Sequence, residues 1–466
     1  MVLLAGCARL PGHLPRNASF HPIERVATPG GILRTASWPQ QHWWRALQDP
    51  TLDALIQQAM AQNPTIQMAA ARVLAAQGAA AVARSRLLPH FASTLSFTQQ
   101  YFSAQGLHLA ANGTSNFYTE LDPLDMDYEV DLWGKDQDLV RAARGISQMT
   151  QAEAAQTRLL ISTAVVLHDS ALVGYQALLA KETALQRVQE QILTLQQGAF
   201  ASGVANQGPV WQARLSLAQT VRVKAALVAA CAAEEHAVAA LVGQGPKALT
   251  HIGVVQGPMP IPPTTLPQDL PLGLLAQRPD IVAARWAVEA AAARVHAARA
   301  AFYPDLNLRL IAGWNSIHFG DLFDPGNFAH AVGPVLRLPI FTGGALRGQL
   351  KTDNALFLVA QDQYRSRILG ALQQIADLLS TWQKLQRQQV AQEQSLVAAQ
   401  KRLRLAQGAR DSGIAGQLPS LMAEQQCLKI EAEGIRLQTA RVQNWALLES
   451  ALGGGYGSSV RKSQEP

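Results

Sequence analysis

The chain has 466 residues, with 39 lysines and arginines against 33 aspartates and glutamates, and its formal charge of +6 is too small for a charge-driven nucleic-acid binder. Charged residues make up only 15% and apolar ones 48%, which excludes a disordered chain, while a mean hydropathy near zero excludes a polytopic helical membrane protein. Three cysteines, Cys7, Cys231 and Cys427, are too few and too odd in number for a disulfide framework.

Residues 1–7 form a truncated-looking lipoprotein signal. The run Leu4-Ala5-Gly6-Cys7 has lipobox form, in which Cys7 becomes the lipidated first residue. Only six residues precede it, where a secretory signal has a basic region and about 7–15 apolar residues. No other run of about 18 apolar residues occurs, so no transmembrane helix is expected. A segment over 8–50 then leads into an internal duplication. Ala61-Gln62-Asn63-Pro64-Thr65-Ile66 returns as Ala276-Gln277-Arg278-Pro279-Asp280-Ile281 at an offset of 215, which also relates Leu87-Leu88-Pro89 to Phe302-Tyr303-Pro304. Gln197-Gly198, Ser202-Gly203, Gln207 and Pro209 return as Gln407-Gly408, Ser412-Gly413, Gln417 and Pro419 at an offset of 210. The chain therefore holds two repeats, 51–243 and 271–452, joined by a proline-rich linker over 244–270 and followed by a tail over 453–466.

Each repeat predicts a helix, two strands, a very long helix, a tight turn and a second long helix. In the first repeat Leu124, Met126, Tyr128, Val130 and Leu132 alternate with Asp125, Asp127, Glu129 and Asp131, which puts apolar side chains on one strand face and acids on the other. With Phe91, Ser93, Leu95 and Phe97 across the loop Phe102 to Asn116, this predicts a β-hairpin over 90–132. The second repeat predicts another over 305–340, from Leu306, Leu308 and Leu310 to the arm Val332 to Ile340. Strands of this length with one apolar face suit a membrane barrel. Four strands cannot close one, so copies of the chain would have to share it. Helical hairpins follow over 140–243 and 345–452. No proline interrupts Gln148 to Phe200. The stripe Leu160, Ala164, Leu167, Ala171, Gly174, Leu178, Leu185, Val188, Ile192 and Leu195 steps by three and four with one break, as coiled-coil packing requires. Gly203 to Pro209 and Gly413 to Pro419 mark the reversals.

Further motifs fall on this frame in a fixed order: Trp43-Trp44, Tyr128-Glu129-Val130-Asp131-Leu132-Trp133-Gly134-Lys135, Pro339-Ile340-Phe341-Thr342-Gly343-Gly344 and Leu452-Gly453-Gly454-Gly455-Tyr456. With the repeated Arg278-Pro279-Asp280-Ile281 and Phe302-Tyr303-Pro304, they resemble the TolC-like outer-membrane factor family, and within it the lipidated NodT/MdtP-like efflux branch. The resemblance implies an α+β membrane protein in which long helical hairpins build an α-barrel and each chain gives four strands to a shared trimeric β-barrel. It implies a homotrimer held in outer-membrane lipid, a passive gated duct of a tripartite multidrug efflux pump. An inner-membrane transporter supplies the energy, and a periplasmic adaptor meets the hairpin tips, here Ser202, Gly203 and Gln207 with Ser412, Gly413 and Gln417.

Where such proteins often carry a gating acid, this chain has Met422, with Leu418 one turn before it, which implies a hydrophobic gate; Glu424 falls on another helix face. The acids Asp125, Asp127, Glu129 and Asp131 would line the lumen and favour cationic solutes. No His-Glu-x-x-His, phosphate-binding loop or Gly-x-Ser-x-Gly occurs, so neither enzymatic activity nor a cofactor or metal is expected. The competing readings are the same fold in type I protein secretion or metal efflux, and a periplasmic coiled-coil scaffold or adaptor without a pore.

Overall fold

A computed structural model describes residues 40–105, 113–246, Pro262 and 272–456. Cys7 with its lipobox-like run, the tail beyond Tyr456 and most of the 244–270 linker lie outside the described residues. The elements run α1 (Pro50–Gln62), α2 (Pro64–Ser85), β1 (His90–Tyr101), β2 (Ser115–Val130), α3 (Lys135–Ala201) and α4 (Gly208–Leu241), then α5 (Pro279–Ala300), β3 (Asp305–Ser316), β4 (Phe328–Arg337), α6 (Ala345–Asp411) and α7 (Gln417–Ala451). The duplication thus extends to element order. Among the described residues the chain divides into two units, one of Arg72–Gln151 and Ala283–Arg365, the other of 40–71, 152–282 and 366–456.

Several bounds depart from the sequence expectation. The long helix of the first repeat begins at Lys135 and runs for 67 residues. Gly145 lies inside it, and its bare Cα lets α5 approach: an added Cβ would lie 3.0 Å from that of Ala290. β4 lies at Phe328–Arg337 rather than at Val332 to Ile340. By length and composition α2, α3 and α4 are apolar enough to cross a membrane, where none was expected. Alanine accounts for the difference, raising the average over a window without making an unbroken apolar run.

The first unit holds a four-stranded antiparallel sheet in the order β1-β2-β3-β4, so that two hairpins join through the β2–β3 pair. Directly opposed residues share a face, and the register therefore sorts the side chains. Phe91, Leu95 and Phe97 of β1 align with Met126, Leu121 and Thr119; Met126, Tyr128 and Val130 align with Leu310, Leu308 and Leu306; and these align with Val332, Pro334 and Leu336 of β4. This face is apolar across all four strands, and Phe91, Leu95, Phe97, Val332 and Leu336 are exposed. A β-bulge keeps it continuous. Between Leu121 and Leu124 β2 takes three residues where β3 takes two, Trp314 to Ala312, so both leucines stay on the apolar side despite their opposite parity. Pro123, with no N–H to donate, sits inside that bulge.

Gly313 stands opposite. A Cβ there would lie 2.2 Å from the Leu121 carbonyl oxygen and 2.8 Å from Asp122 Cα, contacts that only backbone movement relieves. Gly313→Ala is therefore expected to cost about 1–3 kcal/mol and to lower the thermal unfolding midpoint. Gly333→Ala on β4, with nothing within 4 Å of the added Cβ, leaves it unchanged.

The second unit is organised around tryptophan. Trp43 packs edge-on against Trp44 and Trp445, with centroids 5.9 and 5.5 Å apart, in a cluster with Leu52, Ile56, Val165, Val166, Val238, Val242, Trp382 and Val442. Asp49 caps α1 by accepting from the N–H groups of Thr51 and Leu52 at 2.8 and 3.1 Å. The Trp44 indole donates to Asp53 at 2.8 Å, and that hydrogen bond lowers the Asp53 carboxyl. Both repeats then tie down their last helix alike. Asn63 Nδ2 donates to the Leu241 carbonyl at 2.8 Å, and its counterpart Arg278 donates through Nη1 to the Ala451 carbonyl at 2.7 Å. Each satisfies a terminal carbonyl with no partner inside its own helix.

The α3 stripe is buried at Ala171, Leu178, Leu185, Val188 and Ile192, but Leu160 is exposed and Leu159 takes its place inside. The glycine turn after α7 selects Leu159, since a Cβ on Gly454 would meet its Cδ1 at 2.3 Å.

One polar group in this unit is costly. Asp169 is 2% exposed, and its Oδ1 has no hydrogen-bond partner among the described residues. Burial, and after it the Asp49 carboxylate, push its carboxyl up to about 7 from the ordinary 3.8. Between those values the folded protein keeps a proton that the unfolded chain has released, so stability falls as pH rises through that window and stays low above it. The expected loss is on the order of a few kcal/mol. Denaturant unfolding at pH 5 and pH 8 checks this: Asp169→Asn flattens the dependence and raises stability at the higher pH.

Candidate functional site

The opposite face of the sheet is polar. Asp125, Asp127 and Glu129 project there from β2, opposed to Ile311, Arg309 and Asn307 of β3, with Glu120 and Asn315 further along. None of the three acids stands alone. Arg309 lies 3.6 Å from Asp125, Asn307 Nδ2 donates to both Asp127 oxygens at 3.1 Å, and Lys135 pairs with Glu129. Asp131 does not share that face, because β2 ends at Val130; it accepts from the Gln137 N–H at 2.8 Å and opens α3. Next to it, burial first and the Glu129 charge second raise the carboxyl of Asp136. The alternation showed the acids. The partners of Asp125 and Asp127 come from the other repeat, about 180 residues away, so β2 alone gave no sign of them, whereas Lys135 follows Glu129 by six residues.

The two helical reversals are copies down to their hydrogen bonds. After α3, Gly203 takes φ +74°, and the N–H groups of Val204 and Ala205 both donate to the Ala199 carbonyl, at 2.9 and 3.1 Å. After α6, Gly413 takes φ +72°, and those of Ile414 and Ala415 donate to Ala409 at the same two distances. This is the helix-ending geometry in which a left-handed glycine closes the last turn. Ser202, Gly203, Gln207, Ser412, Gly413 and Gln417 are all exposed at these turns. Sequence reading passed over the most prominent side chains, Val204 and Ile414, each 82% exposed. Both are β-branched apolar residues directly after the glycine of a polar turn, and that placement was the available signal.

Leu418 and Met422 stand one turn apart on α7. Leu418 is half-buried against Val188, Ile192, Ala213 and Leu421, whereas Met422 is exposed. Glu424 is half-buried. No group of three or more metal-ligating side chains gathers among the described residues.

The model of the family described as "Outer membrane efflux protein" matches residues 55–244 and again 270–454, once on each repeat. The chain belongs to the outer membrane efflux protein family. Among similar proteins, the multidrug resistance outer membrane protein MdtP of Shigella flexneri is 30% identical over 464 residues, covering 97% of this chain and 94% of that one. The fusaric acid resistance protein FusA of Burkholderia cepacia is 35% identical over 367 residues, 76% of this chain and 68% of the relative. The crystal structure of the outer membrane protein VceC of Vibrio cholerae superposes with a TM-score of 0.80 at 33% identity, covering 90% of this chain and 100% of that one.

The efflux protein described here therefore has the TolC-like fold, with long helices and four antiparallel strands in a duplicated frame. It is a non-enzymatic channel of the bacterial outer membrane, and its helical extension is periplasmic. Alanine at Gly203 or Gly413 would be forced into the left-handed region at about 1–2 kcal/mol. The expected result is faster amide exchange at Val204 and Ala205, or at Ile414 and Ala415, with the other turn unchanged.

Proposed function

We propose that three copies of the chain form the outer-membrane duct of a tripartite multidrug efflux pump, through which small toxic compounds leave the cell. The observation that carries this reading is the sheet. It is apolar across one face, polar across the other, and, among the described residues, unpaired at β1 and β4. In hydrocarbon those edges must find strands, and further copies of the same sheet supply them. The multidrug assignment leans on MdtP, similar along nearly the whole chain. In this reading Cys7 is acylated and adds a lipid anchor, and an inner-membrane transporter drives export through an adaptor that meets the turns around Ser202, Gly203 and Gln207 and around Ser412, Gly413 and Gln417.

The lumen takes the polar face, with Asp125, Asp127 and Glu129, and Asp131 at the foot of β2. Arg309 offsets part of that charge, so the duct is less cation-selective than its acids alone would make it. Met422 closes the narrow end, with Leu418 behind it as the packed base of a hydrophobic gate. The test is planar-bilayer conductance of the full-length protein together with its mass in the same detergent. A trimeric mass, and small rare openings that enlarge several-fold in Met422→Gly, are expected. A monomer without bilayer activity would overturn the reading. In a salt gradient, Arg309→Gln leaves Asp125 uncompensated and shifts the reversal potential toward cations.

A further inference from the structure

The two turns that share a backbone differ in charge. At the offset of 210, Gln191, Ile192 and Thr194 of α3 correspond to Lys401, Arg402 and Arg404 of α6. Ile192 is buried in the cluster with Val188, Ala213 and Leu421. The three cations are exposed and form no ion pair among the described residues, while Arg410 is balanced by Asp411 at 2.8 Å. Leu405 and Ile414, also exposed, lie beside them in sequence. Across the matched stretches 191–207 and 401–417, the first holds no charged residue, while the second holds four cations and one carboxylate, Asp411. The second stretch alone therefore carries +3, half of the chain's net charge of +6.

The matched stretch of a second copy brings this patch no carboxylate: 191–207 holds no charged residue, and another 401–417 repeats the same excess of cations. We infer that the last turns of α6, through Lys401, Arg402 and Arg404 with Leu405 and Ile414, dock an acidic amphipathic helix of a partner protein, and that the α3 turn does not select for acid. The inference rests on the reading that the tips meet a periplasmic partner, and adds which chemistry that partner presents and to which tip. Carboxylates one helical turn apart would meet Lys401 and Arg404, while apolar side chains cover Leu405 and Ile414. Charge matching of this kind steers encounter and fixes orientation, and salt weakens it.

The experiment uses the full-length channel in detergent and two synthetic helical-hairpin peptides, identical except that exposed glutamates in one are glutamines in the other. Binding is read by fluorescence anisotropy at low and high salt. The glutamate hairpin is expected to bind about tenfold more tightly at low salt and to lose that advantage at high salt. The combined change K401E, R402E and R404E should abolish the preference, while R214E, R222E and K224E on α4 leave it intact. A preference that survives the α6 reversal overturns the inference, and so does an altered oligomeric mass in that variant, which would make the patch a contact between copies. Photo-crosslinkers at Ser202 and Ser412 separate the two readings. Equal capture of both hairpins at the turns keeps tip docking and rejects charge selection, and no capture at either turn rejects tip docking itself.

Discussion

A strand in hydrocarbon has no water to satisfy its backbone, so a sheet that faces lipid cannot end. Four strands with one apolar face and two open edges are a fragment of something closed, and the rest of the molecule answers to that. The bulge at Asp122-Pro123 keeps the apolar face unbroken across the middle of β2, and Gly313 leaves room for it. The hairpins that flank the β2–β3 pair come one from each repeat, so the duplication itself builds the sheet. Exposed apolar residues on the helices, such as Leu74, Val82, Trp211 and Val228, are what a chain carries when its neighbours are other copies.

The duplication is visible at three levels that need not have agreed. Sequence offsets of 215 and 210 relate short motifs. Matching hydrogen bonds, Asn63 to Leu241 and Arg278 to Ala451, relate the way each repeat fastens its last helix. Matching left-handed glycines, Gly203 and Gly413, relate the turns. The substitution of Asn63 by Arg278 shows how far side chains drift while a geometric task persists. Both reach the carbonyl at the end of a helix, one with a carboxamide and the other with a guanidinium that also holds Asp280 and Gln374.

Most of this fold was legible because its signals are local. A period of two over Leu124 to Leu132 gave a strand, and a proline-free run with a stripe of Leu, Ala and Val gave a long helix. What escaped was set by contacts between distant segments. Arg309 and Asn307 partner acids on β2, and no pattern within either strand announces it. Leu159 rather than Leu160 turned inward because the glycine turn at residue 454 packs on it. The bulge was half-legible: apolar residues change from odd positions at Phe117 and Leu121 to even ones at Leu124 and Met126, with Asp-Pro between. At the turns, sequence gave the glycines but not the exposure of Val204 and Ile414, which depends on how the reversal projects its side chains.

The equal length of α3 and α6, 67 residues each, bears on stoichiometry. A ring of three copies would present six turns of one backbone design, alternating neutral and basic around the circle. A partner that feels only the backbone would count six equivalent seats. One that feels charge would count three and would be told which way round to sit, so the same collar can be read as a sixfold or a threefold object according to the chemistry of what approaches it.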